Sequence, residues 1–194
     1  MGNAPPPQPA PSDKMRPRRG PGRVRRPFRR KAVRRTPVIL QMEAVECGAA
    51  ALAIVLAYHD VWIPLEQLRL ACGVSRDGSK ASNIVKAAQR FGLTAKGYRA
   101  EPSALPDVPM PCIIHWNFNH FVVLEGITGG YAYINDPAIG RRRIDMEELD
   151  LSFTGVVLAM ERGETFRRFG SKPRGWQLLL RELRGSKAAA RIDM

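Results

Sequence analysis

Residues 41–58 read QMEAVECGAAALAIVLAY, and this stretch sets how the rest of the chain is to be understood. From Cys47 to about Tyr58 the residues are apolar on nearly every face, the pattern of a helix buried in the middle of a domain. The run is too short to span a bilayer. It also lies too far from the N-terminus, behind Glu43 and Glu46, to serve as a signal peptide. Cys47 falls in the first turn, where the partial positive charge of a helix start favours a thiolate. Gly48 behind it is expected to let a substrate backbone approach closely.

Working outward, Pro64 suits a first helical residue, and Leu65, Leu68 and Cys72 then share one face before Gly73 ends the turn. Ser79 is expected to cap a third helix, whose face carries Ile84, Ala88 and Phe91, with Gly92 as the stop. After Gly92 the period changes. Strands are expected at Pro111–Trp116, Phe121–Ile127, Tyr131–Asn135, Arg141–Ile144 and Gly155–Met160, with a hairpin turn at Gly129-Gly130. Helices first and antiparallel strands second is an α+β arrangement, the order of a papain-like cysteine peptidase fold.

On this reading the folded domain spans 38–161, beginning near Val38-Ile39-Leu40. Residues 1–37 contain nine prolines, ten arginines and few large apolar residues, so they are expected to be a disordered basic tail. Beyond Glu161 the chain is basic again. In 162–194, a linker expected to lead into a transporter core not present in this chain, Trp176, Leu179, Leu180 and Leu183 mark one side of a short amphipathic helix.

The formal charge of +13 invites a nucleic-acid reading, and its distribution argues against one. Residues 1–40 hold twelve Lys or Arg and one acid, Asp13, while the remainder holds nineteen bases and seventeen acids. The charge belongs to the tail. A solvated arm is its plainest reading, with anionic membrane surface or nucleic acid as the partners it would otherwise suit. Three cysteines, Cys47, Cys72 and Cys112, make no even disulfide framework, which fits a reducing compartment where a thiol matters through reactivity. No GxxxxGK[ST] phosphate loop occurs. Paired ligands at zinc-site spacing are absent too, so no metal or cofactor is expected.

Cys72 completes an apolar stripe and Cys112 lies inside an apolar strand, which leaves Cys47 as the candidate nucleophile. A base must reach it, and the choices are His59, His115 and His120. His120 begins a strand and Asp136 follows the next one across the Gly129-Gly130 turn. A hairpin brings the start of its first strand back to the end of its second, so the two should meet on one rim of the sheet. An imidazole held by a carboxylate has a fixed tautomer and a supported cation, as the partner of a thiolate requires. His59, beside Asp60, lacks that geometry, and His115 is mid-strand and fits a satisfied core residue. Gln41, six residues before Cys47, could offer its side-chain amide to the oxyanion of a tetrahedral intermediate. Glu43, Asp60 and Arg141–Arg143 read as surface charges.

The segments Gln41-Met-Glu-Ala-Val-Glu-Cys47-Gly-Ala-Ala, Asn119-His120-Phe-Val-Val and Asn135-Asp136-Pro137-Ala-Ile-Gly140 resemble the bacteriocin-processing cysteine peptidases that form the N-terminal domain of peptidase-containing ABC exporters. The resemblance covers roughly residues 36–161, with Gln, Cys, His and Asp in matching order. Two more stretches, 71–79 and 113–119, resemble the subgroup serving nitrile-hydratase-like leader peptides. The resemblance implies removal of a leader peptide after a Gly-Gly type pair, coupled to export at the cytoplasmic face of a bacterial inner membrane. It implies the same roles for Cys47, His120, Asp136 and Gln41. Glu46 departs from the Asp that many members carry there, a departure expected to change little. The rival reading is an exporter tether that binds leaders without cutting them; domains of that kind lack the nucleophile that Cys47 supplies.

Overall fold

The computed structural model describes residues 32–172; the tail before them and the expected Trp176–Leu183 helix lie outside the described residues. Four helices and six strands follow in order: α1 (Cys47–Tyr58), α2 (Leu65–Ala71), α3 (Ala81–Arg90), β1 (Leu93–Arg99), β2 (Cys112–Trp116), β3 (His120–Thr128), β4 (Tyr131–Asp136), β5 (Gly140–Asp145), α4 (Met146–Ser152) and β6 (Phe153–Arg162). The strands form one antiparallel sheet in the order β1-β6-β2-β3-β4-β5. The α+β class expected from the sequence is the one found.

Alternation along the central strands divides the interior in two. Ile113, Phe121, Val123, Leu158 and Met160 face α1, α2 and α3. Cys112, Ile114, Val122, Leu124, Ile134 and Val157 face the opposite way, onto a layer closed by Leu149 of α4 and by Leu105. The second layer's Leu105 comes from a short 3-10 helix, Pro102–Asp107. α1 is buried along its length from Cys47 to Ala57, which is why it carries no polar face. Truncating a fully buried Leu52, Ile54 or Leu56 to alanine would cost about 2–5 kcal/mol.

Several expectations need correcting. Ser79 does not cap α3: Lys80 occupies the N-cap, and the Ser79 hydroxyl is buried without a partner. β1 went unread because Thr94, Lys96 and Gly97 interrupt the β-rich pattern. It is an edge strand paired with β6 alone, and only Leu93 and Ala95 are buried. α4 was missed because it is short and acidic, although Asp145-x-x-Glu148 at its start has capping-box spacing. The Asp145 carboxylate accepts from the Glu148 N–H at 2.7 Å.

The folded unit is also wider than 38–161. Thr36 is buried, and its N–H and hydroxyl both donate to Glu125 Oε1, at 2.6 and 2.7 Å. Glu125 is accommodated by a bulge in β3 against β4, between Leu124 and Gly126. Asn135 donates to the Thr36 hydroxyl and to the Pro37 carbonyl, and Arg141 donates to Glu125 at 3.1 Å and to the Thr36 carbonyl. At the other end, the Trp62 N–H donates to the Phe169 carbonyl at 3.0 Å, and Phe166 packs its ring against His59. Apolar patterning alone could not reveal the Thr36 strap, because polar side chains and backbone groups hold it.

Candidate active site

The lead-in from Gln41 to Cys47 is held by Glu46. This side chain is buried; Oε2 accepts from the N–H groups of Met42 and Glu43 at 2.9 and 3.1 Å, and Oε1 pairs with Arg69 Nη1 at 2.9 Å. Glu43 and Glu46 cap the one-turn 3-10 helix Ala44–Glu46 that delivers Cys47 to the start of α1. This holding role was not read from the sequence. Its signal was present, in the Glu43-x-x-Glu46 capping spacing.

Gly48 has a packing role that the sequence reading did not give it. A Cβ there would come within 2.8 Å of Ile84 Cδ1 and 3.0 Å of Ser79 Cβ. The missing side chain lets the start of α1 press against the start of α3.

β3 and β4 supply the other two groups. Val123 pairs with Asn135, so Asp136 lies one step past the last paired position, diagonal to His120 at the strand start. The side chains meet, with His120 Nε2 2.7 Å from Asp136 Oδ1. The Ala138 N–H donates to the same carboxylate oxygen at 2.8 Å, fixing it from the loop side. His120 also hydrogen-bonds Cys47, and Nε2 is taken by Asp136, so Nδ1 is the nitrogen left for the thiol. Burial opposes a charge on His120. The hydrogen bonds and negative charge of Asp136 and Cys47 outweigh it, and the ring is pushed up to about 9. Asp136 behaves in the converse way: burial would raise it, but His120, the Ala138 N–H and the charge of Arg142 hold it below the usual carboxylate range. Each group favours the charged form of the other.

Gln41 is drawn alongside because its N–H donates to the Pro137 carbonyl at 2.8 Å. Its Oε1 is buried without a partner. Gln41, Trp116, Asn117, Asn119, His120 and Asp136 line an open cleft of about 400 Å³, with Arg142 at one edge. Cys47 is 4% exposed. The four residues singled out from the sequence are thus brought to one place, and such a line can present a thiolate to a carbonyl carbon.

The remaining cysteines and histidines are elsewhere. Burial pushes Cys72 and Cys112 each up to about 12. His115 Nδ1 lies 2.8 Å from the Thr154 hydroxyl. His59 accepts from Arg162 Nε at 3.2 Å, and burial together with that cation pushes it down to about 4. The Arg141–Arg143 run is not a set of free surface charges: Arg141 holds Glu125 and Thr36, Arg142 pairs with Glu148, and Arg143 stacks on Tyr131. Arg142 is the cleft residue that sequence reading missed. Its signal is weak, since three consecutive arginines on a short strand look alike until the pleat separates them.

Comparison with known proteins places these features in context. The profile of the Peptidase C39 family matches residues 35–165. A probable microcin-H47 secretion/processing ATP-binding protein of Escherichia coli, MchF, is 38% identical over 133 residues, covering 69% of this chain and 19% of that protein. The colicin V secretion/processing ATP-binding protein CvaB of E. coli is 37% identical, with the same shares covered. The chain thus spans about a fifth of the length of these curated relatives. Among solved structures, a double glycine motif protease from an AMS/PCAT transporter, in complex with the leader peptide, is 62% identical. It aligns with a TM-score of 0.67 over 68% of this chain and 95% of that one. The peptidase domain of Streptococcus ComA, at 24% identity and a TM-score of 0.61 over 64% of this chain and 97% of that one, shares the fold.

Proposed function

Because this chain belongs to the Peptidase C39 family, we propose that it is a cysteine endopeptidase that removes leader peptides from bacteriocin or similar precursors, with Cys47 as nucleophile. The observation that carries this reading is the line Cys47–His120–Asp136, with His120, Asp136 and Gln41 lining one cleft. In the first half-reaction the Cys47 thiolate attacks the scissile carbonyl carbon. The Gln41 amide and the Cys47 backbone N–H face the developing oxyanion. His120 gives its proton to the leaving amine, and a thioester joins the leader to Cys47. In the second, His120 takes a proton from water, the hydroxide displaces the thiolate, and the leader leaves as a carboxylate. Asp136 keeps the ring oriented and its cation supported throughout.

Specificity follows from the same cleft. The part of the cleft beside Trp116, Asn117 and Asn119 is where a Gly-Gly type pair before the bond would sit, and overfilling a packed site there would cost roughly 1–3 kcal/mol or more. The upstream leader would lie as an amphipathic helix on an apolar groove. The exposed Leu70 beside a groove of about 390 Å³ at Glu66, Arg69 and Val74 supports that part of the reading. Among the described residues no helix is long and apolar enough to cross a membrane. We place the domain at the cytoplasmic face of the inner membrane with an ABC exporter, as a member of the subgroup serving nitrile-hydratase-like leaders.

Three peptides test the assignment: a full leader ending in Gly-Gly, the same leader with bulky residues at that pair, and Gly-Gly without its leader. Efficient cleavage of the first alone is expected. Equal cleavage of all three would make this a general peptidase, and binding of the first without cleavage would make it a tether.

A further inference from the structure

Arg142 lines the cleft together with Gln41, His120 and Asp136. On β5 it pairs with Ile134, while Asp136 pairs with Gly140. Arg142 and Asp136 are therefore diagonal neighbours on one face of the sheet, within reach of a long side chain. Gly140 puts no side chain between them. The Arg142 guanidinium is tethered from the far side by the Glu148 carboxylate of α4, and its Nε is buried without a partner.

We propose that Arg142 is a positioning residue for the peptidase reaction: tethered by Glu148, its guanidinium is a fixed positive charge behind Asp136 that helps hold the charged line from Asp136 through His120 to Cys47. This inference rests on the proposed peptidase reading for its meaning, though its test does not require cleavage. The titratable and charged groups concerned are few. His120 from β3 and Arg142 from β5 face Asp136, and Cys47 from α1 faces His120. Glu148 from α4 faces Arg142. Glu125 and Arg141 are occupied with each other and with Thr36. The charge of Arg142 is among the causes that lower Asp136.

The sign follows from Coulomb's law. Without the Arg142 charge, the Cys47 thiolate must form beside His120 in a more negative field, so it is harder to form and needs a higher pH. Without the Glu148 charge, Arg142 is less neutralised and the effect reverses.

The rate of Cys47 alkylation by iodoacetamide, followed against pH on the full chain, reads this directly. Arg142→Gln should move the acid limb to higher pH, as loss of a positive charge behind Asp136 requires. Arg142→Lys, which keeps the charge and loses the fork, should fall between it and wild type. Glu148→Gln, at a half-exposed position, should move the limb down. An unmoved limb in a folded Arg142→Gln protein overturns the proposal, as does a shift of the same sign in both charge-removing variants. If Arg142→Gln does not fold, Glu148→Gln decides: a downward shift supports the proposal, and no shift or an upward one overturns it. Limb shifts as expected in a protein that cuts no precursor would sink the peptidase reading alone. Normal cleavage with immobile limbs would sink the role of Arg142 alone.

Discussion

Cys47, Cys72 and Cys112 are all buried, so depth does not distinguish them. Their neighbours do. Cys72 and Cys112 lie among apolar side chains and are pushed up to about 12, whereas Cys47 has a hydrogen-bonded imidazole. An alkylating agent should label Cys47 first, because the thiolate fraction sets the rate; peptide mapping that found either other cysteine modified earlier would remove it as nucleophile. Cys47→Ala and His120→Ala should each abolish cleavage while leader binding persists, as calorimetry with an uncut peptide can check. The pH profile follows from His120. Its ring is charged below about 9 and loses its proton above that, so cleavage should fall as pH rises through about 9. Asp136→Asn withdraws the accepting carboxylate. The alkaline limb should then move to lower pH and the maximal rate should drop, and a limb left at the wild-type position would mean that Asp136 does not support the imidazolium.

Between the elements, the decisive contact is α1 against α3 at Gly48. Gly48→Ala forces a Cβ against Ile84 and Ser79, and overpacking of this size costs about 1–3 kcal/mol. The nearest obstacle is the flexible end of Ile84, so Gly48→Ala combined with Ile84→Val should recover part of the loss. Urea midpoints of the two single variants and the double variant give the coupling; strict additivity would mean that the two do not meet. Elements were legible where a single rule governed them. α1 declared itself by being apolar all round, and the β3–β4 hairpin by Gly129-Gly130, both with positive φ. β1 and α4 did not, because partners rather than intrinsic pattern hold them. β1 exists by pairing with β6, and α4 by covering Ile144 and Phe153 in the second layer.

At the scale of the whole molecule, the lead-in segment ties the site to the far half of the sheet. Thr36 joins Glu125, Asn135 and Arg141, and five residues later Gln41 enters the cleft. Thr36→Val keeps the shape but withdraws a donor from the Glu125 carboxylate and an acceptor from the Asn135 amide. Leaving such buried groups short should cost about 1–3 kcal/mol, seen as a lower urea midpoint with an unchanged slope. Removal of residues 1–31, a stretch rich in proline and arginine and poor in large apolar residues, should leave cleavage of a free precursor intact, whereas removal through Pro37 should not. The sequence by itself determined the α+β class, the buried helix, the hairpin and the order Gln41, Cys47, His120, Asp136, because apolar period, turn chemistry and local spacing are properties of neighbouring residues. Only the tertiary structure decided what Glu46, Gly48, Glu125 and Arg142 do. Each acts through a partner that is distant in sequence or on another element, and side-chain type carries no record of which partner the fold will bring.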